Sequence, residues 1–147
     1  MQLLNQYISN HPEDIDMDYV SKCLKRQKFG EKEYCALYIG KSKNGRNRFT
    51  EHIHGPVRLS TLRKTIAAIL LLMKQEVTKE SISKVLSKCY FEWIELKNNY
   101  TDDYELMDCL EMMAITIGHY PLNMEGNTSI SEEWKKAIMD QRKELKD

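Results

Sequence analysis

The chain has no apolar run longer than eight residues, at 66–73. That is far short of the ~20 needed to cross a bilayer, which excludes a helical membrane span and points away from a membrane partner. The first residues, Met1-Gln2-Leu3-Leu4-Asn5-Gln6-Tyr7, lack the charged start and long apolar stretch of a secretory signal. Net charge is also missing, since 22 basic side chains offset 22 acidic ones. Bulk electrostatics therefore neither announces nor excludes a nucleic-acid partner. Cysteine is sparse: the four, at 23, 35, 89 and 109, form no C-x-x-C pair and no finger spacing, which argues against a structural zinc site. Cys35 and Cys109 fall inside apolar patterns, so we expect reduced core thiols and a cytoplasmic location. Repeats and low-complexity tracts are absent too, and 147 residues fit a single domain, 1–147.

What is present reads as a small sheet with helices around it. Met17, Val20 and Leu24 have helical spacing and predict a helix within 11–27. Residues 34–39 are aromatic and aliphatic and predict a buried strand ending at Gly40, where a glycine allows unusual backbone shapes and the close approach of a ligand. A loop over 41–45 leads to a short helix at 46–54, closed by Gly55-Pro56. Ser60 and Thr78 are N-caps for helices running to about 74 and 86. Residues 89–96 predict a second strand. Asp102 and Asp103 favour the start of a helix with a buried stripe of Leu106, Leu110, Met113 and Ile117, ended by Pro121. A loop at 123–127 and a charged terminal helix at 134–145 complete the chain. The fold class expected is α+β: a small antiparallel sheet flanked by helices.

Charge is balanced overall but not locally. Between 41 and 64 stand Lys41, Lys43, Arg46, Arg48, Arg58, Arg63 and Lys64 against Glu51 alone. A basic face of this kind suits a phosphate-bearing ligand, although a solvated helix face would look the same. Directly before it comes Tyr38-Ile39-Gly40; Arg48 follows Tyr38 by ten residues and His52 follows Arg48 by four. Much farther on, Glu111 precedes Asn123 by twelve residues, in a helix that runs into Pro121-Leu122-Asn123.

Taken together these residues resemble the GIY-YIG nuclease domain, in the compact subgroup with a Ser-Thr-Leu-Arg segment, here residues 60–63. The resemblance covers about 34–127, leaving 1–33 and 128–147 as helical extensions. It implies a divalent-metal-dependent endonuclease that hydrolyses DNA phosphodiester bonds, with RNA as the other nucleic acid to consider and a homodimer left open. The implied site residues are Tyr38, Arg48, His52, Glu111 and Asn123. Glu111 would hold a single Mg²⁺ or Mn²⁺. Gly40, Lys41, Arg46 and Arg63 would lie against the substrate.

The residue types suit that chemistry. Phosphodiester cleavage needs a cation to polarise the phosphoryl oxygen, a cation for the developing charge and a base for water. Arginine's fork matches a phosphate. Histidine titrates near neutrality. Asn123 is expected to fix the loop rather than to do chemistry. The family's first signature, Gly-Ile-Tyr about ten residues before Tyr-Ile-Gly, is not found: counting back from Tyr38 lands near Arg26 and Gln27. The base is therefore open among Tyr19, Tyr34, Tyr38 and His52. A module that kept the fold and binds nucleic acid or a protein partner without cutting is the competing expectation.

Overall fold

The structure is a computed structural model that describes residues 26–29, 31–91, 104–118 and 120–145, with only the backbone for 26–29, 104, 106 and 117. The described part is rich in helix. Strands β1 (Arg26–Phe29) and β2 (Lys32–Cys35) form an antiparallel hairpin in which Gln27 faces Tyr34 and Arg26 faces Cys35. Helices α1 (Gly45–His54), α2 (Thr61–Leu72), α3 (Lys79–Leu86), α4 (Tyr104–Gly118) and α5 (Glu132–Glu144) follow, with a 3₁₀ turn at Val57–Leu59 between α1 and α2.

The local chemistry of the helix ends accounts for several boundaries. Asn44 caps α1 by accepting the Asn47 amide at 3.0 Å, Ser60 caps α2 through the Arg63 amide, and Thr78 with Ser81 closes a reciprocal capping box on α3. Gly55 must stay small because a Cβ there would stand 2.5 Å from the Glu51 carbonyl. The core gathers on α2, which is apolar almost all round and buried along most of its length. Against it lie Ile82 and Leu86 of α3, Leu122 and Met124, and Trp134 and Ile138 of α5.

Four expectations are corrected. The strand predicted at 34–39 ends at Cys35, because residues 37–39 take their hydrogen bonds from a different partner, Leu122 and Asn123. The second strand expected at 89–96 is not formed over 89–91, and 92–96 lie outside the described residues. The helix expected within 11–27 lies outside the described residues up to 25, while Arg26 and Gln27 are in β1.

The fourth correction concerns α4, whose start at Asp102 and Asp103 lies outside the described residues. Leu110 and Met113 are exposed, and Met107 and Ile115 are the buried positions instead. The helix carries apolar side chains on several faces, so its periodicity does not single one out. Cys109, expected in the core, shares the exposed side; Cys35 and Cys89 are half-buried.

Candidate active site

The segment 37–40 is extended and held from across the chain. The Leu122 amide donates to the Leu37 carbonyl at 2.9 Å. The Asn123 side chain then copies a strand partner: its Oδ1 accepts the Ile39 amide at 2.9 Å and its Nδ2 donates to the Ile39 carbonyl at 2.8 Å. Asn123 is itself buried, and its carbonyl accepts a bond from the buried Asn127 side chain at 3.0 Å. This clamp spans 84 residues of sequence, and together with the Leu122–Leu37 bond it holds the residues on both sides of Tyr38.

Tyr38 is the centre of the cluster. Its ring meets the His52 ring edge-on, 5.7 Å between centroids, and its hydroxyl lies within reach of the Arg48 guanidinium. Burial raises its pKa; the nearby Arg48 charge opposes that rise, Glu111 adds to it, and Arg142 opposes it again. Gly40 does not adopt a left-handed backbone: Gly126 is the one described glycine that does. The small size of Gly40 matters instead, because a Cβ would stand 3.1 Å from the Tyr38 ring and 3.2 Å from its hydroxyl oxygen.

Arg48 and His52 lie one turn apart on α1 and face Tyr38 together. Arg48 Nη1 donates to Glu51 Oε2 at 3.0 Å and to the Leu59 carbonyl at 3.1 Å, leaving the rest of its fork for other acceptors. His52 is buried, and its Nδ1 is 2.6 Å from Ser60 Oγ. That oxygen also accepts the Arg63 amide at 3.1 Å, and which of the two groups donates across the His52–Ser60 contact depends on the imidazole tautomer. Burial, then the neighbouring Arg48 charge, lower the His52 pKa to about 4, and the ring is neutral at pH 7.

Glu111 comes from α4, between the buried Met107 and Ile115 on one face of the helix. It stands off the stripe expected to be buried, Leu106, Leu110, Met113 and Ile117, and on the face that carries the buried Met107 and Ile115. Lys41 joins it to a second carboxylate, since its Nζ is 3.1 Å from Glu111 Oε2 and also pairs with Asp108. Asp108 and Glu111 thus converge on one cation. Among the described residues no three His, Cys, Asp or Glu side chains come together as a metal nest, but Mg²⁺ is commonly held by only one or two carboxylates plus waters and substrate phosphates.

The remaining expected contacts separate. Arg46 is exposed in the first turn of α1. Arg63 is not available to substrate: it is 0 % exposed, and its guanidinium donates to the carbonyls of His52 (3.1 Å), Ile53 (2.9 Å) and Lys79 (3.4 Å). It ties off the end of α1, where carbonyls lack helical partners. Tyr34 packs on Tyr90, 5.6 Å between ring centroids, and Tyr19 lies outside the described residues. Three participants were not anticipated: Ser60 as the partner of His52, Asp108 beside Glu111, and the Arg142 charge near Tyr38. The i, i+3 spacing of Asp108 and Glu111 was a usable signal for the second. Nothing in local spacing links Arg142 to Tyr38.

A half-buried tyrosine, an arginine with part of its fork unspent, a neutral histidine and a pair of carboxylates gather around a clamped segment. The chain belongs to the GIY-YIG catalytic domain family, whose model matches residues 6–144. Members of that family are generally nucleases, and their substrate is nucleic acid. Comparisons with curated proteins and with solved structures give no match.

Proposed function

We propose that the protein is a divalent-metal-dependent endonuclease that hydrolyses DNA phosphodiester bonds. The observation that carries this reading is the convergence of Tyr38, Arg48, His52 and Glu111 on a segment held by Asn123. Family membership supports the reaction class.

In this reading Arg48 grips the scissile phosphate and meets the charge that develops on it. Tyr38 is the base for the attacking water: burial holds its pKa above the usual tyrosine value, and the Arg48 and Arg142 charges oppose that rise. His52, with Nδ1 taken by Ser60, orients Tyr38. Gly40 keeps the Tyr38 hydroxyl open to water and substrate. Lys41 and Arg46 lie against phosphates. Glu111 would hold Mg²⁺ or Mn²⁺ with Asp108 beside it, the two carboxylates already converging on the Lys41 ammonium. When bound, the ion polarises a phosphoryl oxygen.

Purified protein should nick supercoiled plasmid in Mg²⁺ or Mn²⁺ and stop with chelator. Glu111→Gln should abolish cutting, and Tyr38→Phe should abolish cutting while DNA is still bound. Wild type that binds DNA but cuts in neither metal would sink the enzyme reading and leave a second one, a binding module without catalysis. One observation favours that alternative: β1 consists of Arg26, Gln27, Lys28 and Phe29 and contains no tyrosine.

A further inference from the structure

Among the described residues three arginines are buried or half-buried, and two are accounted for. Arg63 spends its terminal nitrogens on three carbonyls, and although its Nε is unpartnered it is closed to any ligand. Arg48 bonds Glu51 and the Leu59 carbonyl and lies within reach of the Tyr38 hydroxyl. Arg142, in the last turn of α5, is not accounted for. Its Nη2 donates to Thr65 Oγ1 on α2, its Nη1 meets only the Met139 thioether at 3.4 Å, and its Nε is buried without a partner.

A guanidinium carries five N–H donors. Here one hydroxyl oxygen and one weak sulfur acceptor serve them all. Among the described residues Arg142 makes no ion pair, and Glu125 acts on it only from a distance. A half-buried cation left this way is costly unless an anion completes it. Burial lowers its pKa, as expected of a charge drawn out of water without a close counter-ion.

Its position ties it to the site. Thr65 Oγ1, the Arg142 acceptor, is 3.5 Å from the Leu122 carbonyl. The Leu122 amide holds Leu37, and the next residue, Asn123, grips Ile39. A short chain of contacts therefore runs from Arg142 to the segment bearing Tyr38, and the charges of Tyr38 and Arg142 act on each other.

We propose that Arg142 binds a phosphate oxygen of the nucleic-acid substrate beside Tyr38, as a second guanidinium alongside Arg48. The ligand class rests on the nuclease reading above. A plain tether between α5 and α2 would use the same Thr65 bond but leave three donors idle, and it would contribute nothing to the salt dependence of binding.

The test measures affinity for a short DNA duplex in chelator, so that nothing is cut, across a series of salt concentrations. The variants are Arg142→Gln, Arg142→Lys and Lys143→Gln, with circular-dichroism melts to establish folding. Arg142→Gln should bind about tenfold more weakly, and its plot of log affinity against log salt should be shallower by about 0.9, the loss of one phosphate contact. Arg142→Lys should restore the slope, and Lys143→Gln, whose cation pairs with Asp140, should leave it unchanged. Arg142→Gln with wild-type slope overturns the inference whether or not affinity falls, while DNA binding by wild type still stands. An equal drop for Lys143→Gln also overturns it, since the effect is then diffuse helix charge. Wild type that binds no DNA overturns both the nuclease reading and this assignment.

Discussion

At the scale of single residues, two side chains with ordinary identities acquire their importance from what they touch. Asn123 supplies both hydrogen bonds that Ile39 would otherwise take from a neighbouring strand. Asn123→Ala removes both and leaves an amide and a carbonyl without partners in a half-buried place. At about 1–3 kcal/mol for each such group, the variant should lose roughly 2–6 kcal/mol in urea denaturation, and cutting should fall with it because Tyr38 is no longer held.

His52 yields a pH signature. Its ring titrates at about 4 in the folded protein against 6.5 unfolded, chiefly through burial. The unfolded chain therefore takes up the proton first as pH drops. Stability should be complete above pH ~6.5 and fall progressively toward pH ~4, by roughly 2 kcal/mol after allowing for screening. His52→Gln keeps an acceptor for Ser60 and should flatten that part of the stability–pH curve, as followed by thermal melts in a buffer series.

At the scale of elements, α4 decides which carboxylate enters the site. Its inward face carries Met107, Glu111 and Ile115, while Leu110 and Met113 face out. Ile115→Ala should cost about 2–5 kcal/mol as a buried deletion, whereas Leu110→Gln should change stability by no more than about 0.5 kcal/mol. Equal losses would mean that the stripe read from periodicity is the buried one after all. The turn after α4 carries a similar constraint: Gly126 has φ +67°, and a Cβ there would stand 2.5 Å from the Met112 side chain. Gly126→Ala should cost about 1–3 kcal/mol, measurable as a lower melting temperature.

At the scale of the whole molecule, the site is assembled from four distant parts: the segment after β2, α1, α4 and the loop at 121–127. Helix α2 is the shared support, buried between α3 and α5 and bonded through Thr65 to both Leu122 and Arg142. Ile138 of α5 is 0 % exposed against this support. Ile138→Ala should destabilise the fold by about 2–5 kcal/mol, and loosening α5 should weaken the hold on Arg142. Denaturant titration followed by Trp134 fluorescence reads the first effect, since that indole is buried in the same core.

Much of this was legible in the order of residues, for reasons that are local. Helices α1, α2 and α3 follow from Asn44, Ser60 and Thr78, because an N-cap acts within its own first turn. The pairing of Arg48 with His52 follows from one turn of helix, and the family from motifs that lie along single elements. The tertiary structure alone decided the rest. It ended β2 at Cys35 by giving Leu37 and Ile39 a partner more than eighty residues away. It buried Arg63, whose spacing matched a substrate contact but whose donors met the open carbonyls at the end of α1. It also turned α4 so that Glu111 faces inward and brought Arg142 near enough for its charge to act on Tyr38. Each of these outcomes depends on which groups lack partners once the helices have packed, and that is settled by contacts between distant segments rather than by the spacing within any one of them.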